Sequence, residues 1–143
     1  MDPVVDSAYG SDLNQKPEGK TYDFLPVSHI KIETLQTFNF PSLEQIINIE
    51  TKEFSSVCPF SGLPDICTVK IKYKPIAGIA IELKSLKYYF VSFRQVGIAQ
   101  EFVTAKIYND LKTVLKTDKL YVSTLYNTRG GIDVLCEQGD KNF

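Results

Sequence analysis

Seven consecutive residues constrain the fold of this chain more than any others. Thr68-Val69-Lys70-Ile71-Lys72-Tyr73-Lys74 alternates strictly, with Val69, Ile71 and Tyr73 on one side and three lysines on the other. Successive side chains of a strand point to opposite faces, so this pattern predicts a half-buried β-strand with one solvated face. A looser alternation precedes it over Ile46–Phe54. Between the two lies Cys58-Pro59-Phe60-Ser61-Gly62-Leu63-Pro64-Asp65, whose prolines and glycine demand a turn-rich connection. Further on, apolar residues recur every three or four positions: Leu83, Leu86, Phe90 and Phe93, then Phe102, Ala105, Tyr108, Leu111 and Leu115. These spacings predict two amphipathic helices, the first running from Glu82, the two parted at Gly97. Strand character returns at Leu120–Tyr126 and Ile132–Cys136, joined by the turn sequence Asn127-Thr128-Arg129-Gly130-Gly131.

The order is therefore ββααββ, an α+β plan with an antiparallel sheet and two helices on one face. The stretch Ile30–Phe40 is ambiguous, and no internal repeat is present. Residues 1–27, rich in Asp, Ser, Gly, Pro and Lys, read as a tail or strapping arm, leaving 28–143 as one domain. A length of 143 residues suits that single domain, and 43% apolar residues suit a globular one. Four such strands leave sheet edges with unpaired backbone groups, and ring closure between subunits removes them. A homo-oligomer with sites shared between chains is the expectation.

Charge narrows the function classes. Sixteen basic and seventeen acidic residues give a net charge of -1, which does not favour direct nucleic-acid binding. No apolar run approaches the roughly 20 residues of a membrane helix, and the N-terminus lacks a signal-peptide pattern. A cytoplasmic protein without membrane partners is expected. Three cysteines without a C-x-x-C pair, and His29 as the only histidine, supply neither a disulfide framework nor a metal-ligand cluster. The same lone histidine leaves little room for His general-base work.

Four segments carry candidate chemistry. Cys58 stands where a strand gives way to an irregular loop, which can expose a nucleophilic sulfur, and Asp65 seven residues later could exchange its proton. A small buried hydrophobe and a turn residue are the plainer readings of these two. Cys67 and Cys136, inside strand patterns, read as inert core. Glu82 could accept a heterocycle's N–H groups while Lys84 and Lys87, one helical turn apart, pair with phosphates; an ordinary amphipathic helix explains the same segment. Gln100-Glu101 opens the second helix, where acid also offsets the helix dipole. Arg129-Gly130-Gly131 combines a cation with glycine N–H groups, an anion site or simply a hairpin turn.

Taken in order, Cys58-Pro59-x-Ser61-Gly62-x-Pro64-Asp65, Glu82-Leu83-Lys84-Ser85-Leu86-Lys87-Tyr88-Tyr89, Ser92-Phe93-Arg94, Glu101 and Arg129-Gly130-Gly131-Ile132 form a combined signature. From about residue 45 to 135 the chain resembles the single-module 7-cyano-7-deazaguanine reductases, the nitrile reductases of queuosine biosynthesis, which act in tRNA modification. The resemblance implies the tunnelling fold, in which ββααββ units close into a multi-subunit barrel. It also implies NADPH-dependent reduction of a deazaguanine nitrile to an aminomethyl group. Cys58 would add to the nitrile as a thioimide-forming nucleophile, and Asp65 would supply the proton. Substrate recognition would fall to Ile81, Glu82, Leu83, Gln100 and Glu101, and cofactor contacts to Leu83, Lys84, Lys87, Arg129 and Gly130. No G-x-G-x-x-G is present, so the cofactor would not be held in the Rossmann manner. The chain departs from the family pattern at Gln100, where a histidine is usual, and glutamine cannot carry a proton. Two alternatives share the pocket: a thioimide-forming amidinotransferase acting on nitrile-bearing tRNA, and a deazaguanine-binding homologue with impaired turnover.

Overall fold

The computed structural model describes residues 22–143. The arm expected over 1–27 thus falls mostly outside the described residues, and its described part begins at Tyr22. Eight elements follow: β1 (Thr37–Asn39), β2 (Ile47–Val57), β3 (Pro64–Tyr73), β4 (Ile79–Ile81), α1 (Leu83–Val91), α2 (Gln100–Leu115), β5 (Leu120–Arg129) and β6 (Ile132–Gly139). Strands β2-β3-β5-β6 form one antiparallel sheet in that order, and β1 pairs with β4 in a small second sheet. The α+β plan and the ββααββ order agree with the sequence reading, and the β1–β4 pair is additional. Three-residue strands are too short to produce a periodic signal, which is why Ile30–Phe40 read as ambiguous.

The alternation in β3 is realised residue by residue. Asp65, Cys67, Val69, Ile71 and Tyr73 are buried, while Ile66 and Lys70 are exposed and Thr68 and Lys72 half-buried. Opposite residues share a face, so Ile49, Ile71 and Val122 form one inward row across the sheet. Both helices contribute to the core on that face. Tyr89 and Phe93 stack edge-on at 5.3 Å between ring centres, and Phe54 meets Phe93 at 5.0 Å.

Two β-bulges set what faces inward at one end of the sheet. In β2, Thr51 opposes Val69 but Phe54 opposes Cys67, so three steps match two and one residue is extra. In β5, Tyr126 opposes Val134 but Arg129 opposes Ile132, again one extra residue. Each insertion inverts the facing of every residue beyond it. Phe54 and Ser56 therefore turn inward, with Ser56 opposite Asp65, and Arg129 shares the face of Tyr126.

The helices differ from expectation in their buried faces. In α2 the stripe against the sheet is Val103, Ile107, Leu111 and Leu115, with Tyr108 beside it; Phe102 is 68% exposed and Ala105 half-buried. Two overlapping apolar stripes exist in this sequence, and the smaller β-branched pair packs on the sheet. In α1, Leu86 and Tyr89 are buried but Leu83 is exposed, and Phe93 lies beyond the helix end. Glu82 precedes the helix as its N-cap.

Candidate active site

The sharp connection between β2 and β3 is a hairpin closed by Cys58 itself, whose N–H donates to the Leu63 carbonyl at 2.8 Å. Gly62 donates back to the Cys58 carbonyl at 2.7 Å with φ +74°, the left-handed region that glycine enters without strain. Asp65 was expected in this loop. It lies instead in β3, nearly fully buried, because strand pairing already begins at Pro64.

Cys58, Asp65, Gln100, Glu101, Arg129 and Gly130 line one cavity of about 580 Å³, together with Pro59, Phe60, Ala99, Asn127, Ile132 and Val134. That size falls within the range of small-molecule sites. The Arg129 guanidinium donates to the Asp65 carboxylate. At the turn after Arg129, Gly130 and Gly131 have φ of +58° and +78°, the two positive values that a type I′ hairpin requires. Gln100 and Glu101 open α2, and the Tyr126 hydroxyl donates to the Gln100 carbonyl at 3.2 Å, tying that helix start to the sheet. Burial pushes the Tyr126 phenol upward, which keeps it a donor.

The sulfur is electrostatically prepared. Partial burial acts to raise the Cys58 pKa, as does the charge of Asp65, but the N–H of Phe60 and the hydroxyl and N–H of Ser61 favour the thiolate. The net position is below the ordinary cysteine value. Cys67 behaves oppositely: burial pushes its thiol up to about 12, the signature of an inert core cysteine. Cys136 is half-buried within β6. Ser61 belongs to the sequence motif, but nothing in its spacing assigns it this contact with the sulfur.

The remaining expected residues occupy different cavities. Ile81, Glu82 and Leu83 line one with Phe38 and Phe40, and Lys87 lines another with Leu83 and Arg94. Lys84 is exposed on α1, its ammonium 5.9 Å from the Tyr88 ring. Within a single chain the expected site thus splits into a Cys58 group and a Glu82 group that share no cavity. Glu82 accepts the Ser85 N–H at 2.7 Å and the Lys84 N–H at 3.0 Å, one on each carboxylate oxygen. Those backbone N–H groups hold its pKa below the usual carboxylate range. Each oxygen retains a further lone pair for an external donor. The segment is anchored from behind: Ile81 N–H donates to the Tyr73 hydroxyl at 3.0 Å, and Glu82 N–H to the Gln36 carbonyl at 2.8 Å.

Comparison with known proteins places the chain in a family. The family described as QueF-like protein matches residues 64–142. An NADPH-dependent 7-cyano-7-deazaguanine reductase of Thermotoga petrophila is 53% identical over 124 residues, which is 87% of this chain and 90% of the relative. A protein of the same name from Pelodictyon phaeoclathratiforme is 47% identical, covering 72% of this chain and 90% of its own. The crystal structure of the archaeosine synthase QueF-Like in the apo form superposes with a TM-score of 0.61 at 19% identity, over 68% of this chain and 95% of that one. At that identity the superposition speaks for the fold alone, and the fold is the tunnelling type. With its alternating sheet, its cysteine hairpin and these relatives, the chain belongs to the 7-cyano-7-deazaguanine reductase family of QueF-like proteins.

Proposed function

We propose that this protein is an NADPH-dependent oxidoreductase that converts the nitrile of 7-cyano-7-deazaguanine to an aminomethyl group, and that Cys58 does so through a covalent thioimide. The observation that carries the reading is a thiol held below its ordinary pKa at the wall of a cavity that also contains a buried carboxylate. This chain matches nine-tenths of the length of relatives bearing the reductase name.

A nitrile carbon is a poor electrophile, and covalent addition divides one difficult reduction into easier steps. The Cys58 S–H bond breaks, its proton passing to the Asp65 carboxylate, and the sulfur adds to the nitrile carbon. Asp65 then delivers that proton to the nitrogen, converting C≡N to C=N–H. NADPH, when bound, supplies the two hydrides that the full reduction needs. Once the substrate carbon is tetrahedral, the C–S bond breaks, its electron pair leaving with the Cys58 sulfur, which takes a proton from solvent; a second solvent proton goes to the nitrogen as it becomes the amine. Arg129, paired with Asp65, keeps the carboxyl aimed at the cavity throughout.

The substrate's amine and ring N–H groups need acceptors, which Glu101 supplies from the cavity and Glu82 from its helix cap. Gln100 orients without exchanging a proton. Exposed Lys84 and Lys87, three residues apart on α1, and Arg129 with Gly130 fit the phosphates of the dinucleotide. The two residue groups come together between copies of the chain in a cyclic assembly, which also pairs the outer strands β2 and β6.

Following NADPH absorbance while titrating the nitrile base tests the reading. Two NADPH oxidised per nitrile, with a protein-bound mass adduct that Cys58→Ala lacks, is the expected result. Adduct formation without NADPH loss would leave a binding protein and overturn the reductase.

A further inference from the structure

Phe60 is the most exposed large apolar residue among the described residues, at 83%, and it stands two positions after the proposed nucleophile. Its N–H helps to lower the pKa of the Cys58 thiol. Phe60 lines the Cys58 cavity, and it also lines a second, more apolar cavity bounded by Phe102 and Ala105. Pro59, Phe60 and Ala99 are common to both, so these residues form the partition between them. Among the described residues lining the Cys58 cavity, Phe60 is the only aromatic one.

We propose that Phe60 is a substrate-specificity residue whose ring stacks on the flat face of the heterocycle joined to Cys58. The assignment rests on the nitrile-reductase reading above. A planar bicyclic ring held by edge contacts to carboxylates still has two faces to remove from water. Aliphatic Ile132 and Val134 can cover one of them, but they offer no π-surface. The hairpin fixes the backbone of Phe60 between Cys58 and Gly62, while its side chain is exposed. A ring attached two residues from the sulfur moves with the nucleophile, so the covalent bond and the stack are registered to each other.

The test uses the full-length protein in the Cys58→Ala background, where binding of the nitrile base is reversible and calorimetry reads its Kd. Adding Phe60→Ala is expected to weaken binding about tenfold, the scale of one base–aromatic stack. Adding Phe60→Tyr, which restores a ring, should hold Kd within about threefold. Melting temperature and oligomer mass should be unchanged by either. Equal affinity in the Phe60→Ala variant overturns the proposal while leaving the reductase intact. A changed oligomer mass with unchanged affinity also overturns it, by showing that a second copy covers the ring. If Cys58→Ala with Phe60 intact binds no nitrile base, the reductase reading falls and this assignment with it.

Discussion

The titration of a single sulfur leans on two of the three residues that follow it. Cys58 is half-buried, which alone raises a thiol's pKa, yet donors from Phe60 and Ser61 bring it below the ordinary value. Lowering the pKa means that thiolate is present at lower pH, so Cys58 alkylation by iodoacetamide should reach its plateau at lower pH than a free peptide cysteine. Removing the hydroxyl in Ser61→Ala should move that midpoint upward, while buried Cys67 stays unmodified in both. A profile for Ser61→Ala superimposable on the parent would show that the hydroxyl does not act on the sulfur. At this scale the sequence was partly legible. The Cys58–Asp65 motif announced a cysteine and a carboxylate around a turn, because prolines and glycine make turns visible in any chain. It did not announce that Asp65 is a strand residue bound to Arg129, since those two are 64 positions apart and meet only through sheet register.

Elements near the site are fastened by contacts that periodicity does not encode. Leu25 accepts from Gly97 at 3.0 Å and donates to Gln95 at 2.7 Å, while Val57 bonds Val96 and Ile98 on the opposite side. The segment leading into α2 is thus clamped between Leu25 and β2, which ends at Val57 just before Cys58. A Cβ on Gly97 would come within 2.1 Å of the Phe24 ring, and one on Gly62 within 2.5 Å of the Tyr22 carbonyl. Gly97→Ala should therefore destabilise the fold by about 1–3 kcal/mol, as overpacking does. Combining it with Phe24→Ala should recover part of that loss in a urea-unfolding double-mutant cycle. Simple additivity would show that the ring is not what the methyl meets. The main strands and both helices were legible because long alternations and 3.6-residue spacings persist over many residues. The β1–β4 pair and the buried face of α2 were not, because each is decided by which neighbour arrives from elsewhere in the chain.

Across the whole molecule, the separation of the Cys58 and Glu82 groups is the feature with the widest reach. If one chain supplies the sulfur and another the capping glutamate, Cys58→Ala and Glu82→Ala proteins should each be inactive alone yet regain activity when unfolded and reassembled together. Random pairing in an equal mixture gives about a quarter of intact sites, and NADPH turnover reads that fraction directly. Absence of any recovery, in mixed oligomers of normal mass, would place both groups in one chain's site. Unpaired sheet edges are the sequence's argument for a partner copy, whereas spacing along a chain carries no record of which residues of a shared pocket each copy would supply. The two bulges add a rule about ancestry. A strand's parity is an integer count, so relatives of this protein can change many letters between Thr51 and Phe54, or between Tyr126 and Arg129, but cannot drop or gain a single one there without turning the chemistry outward.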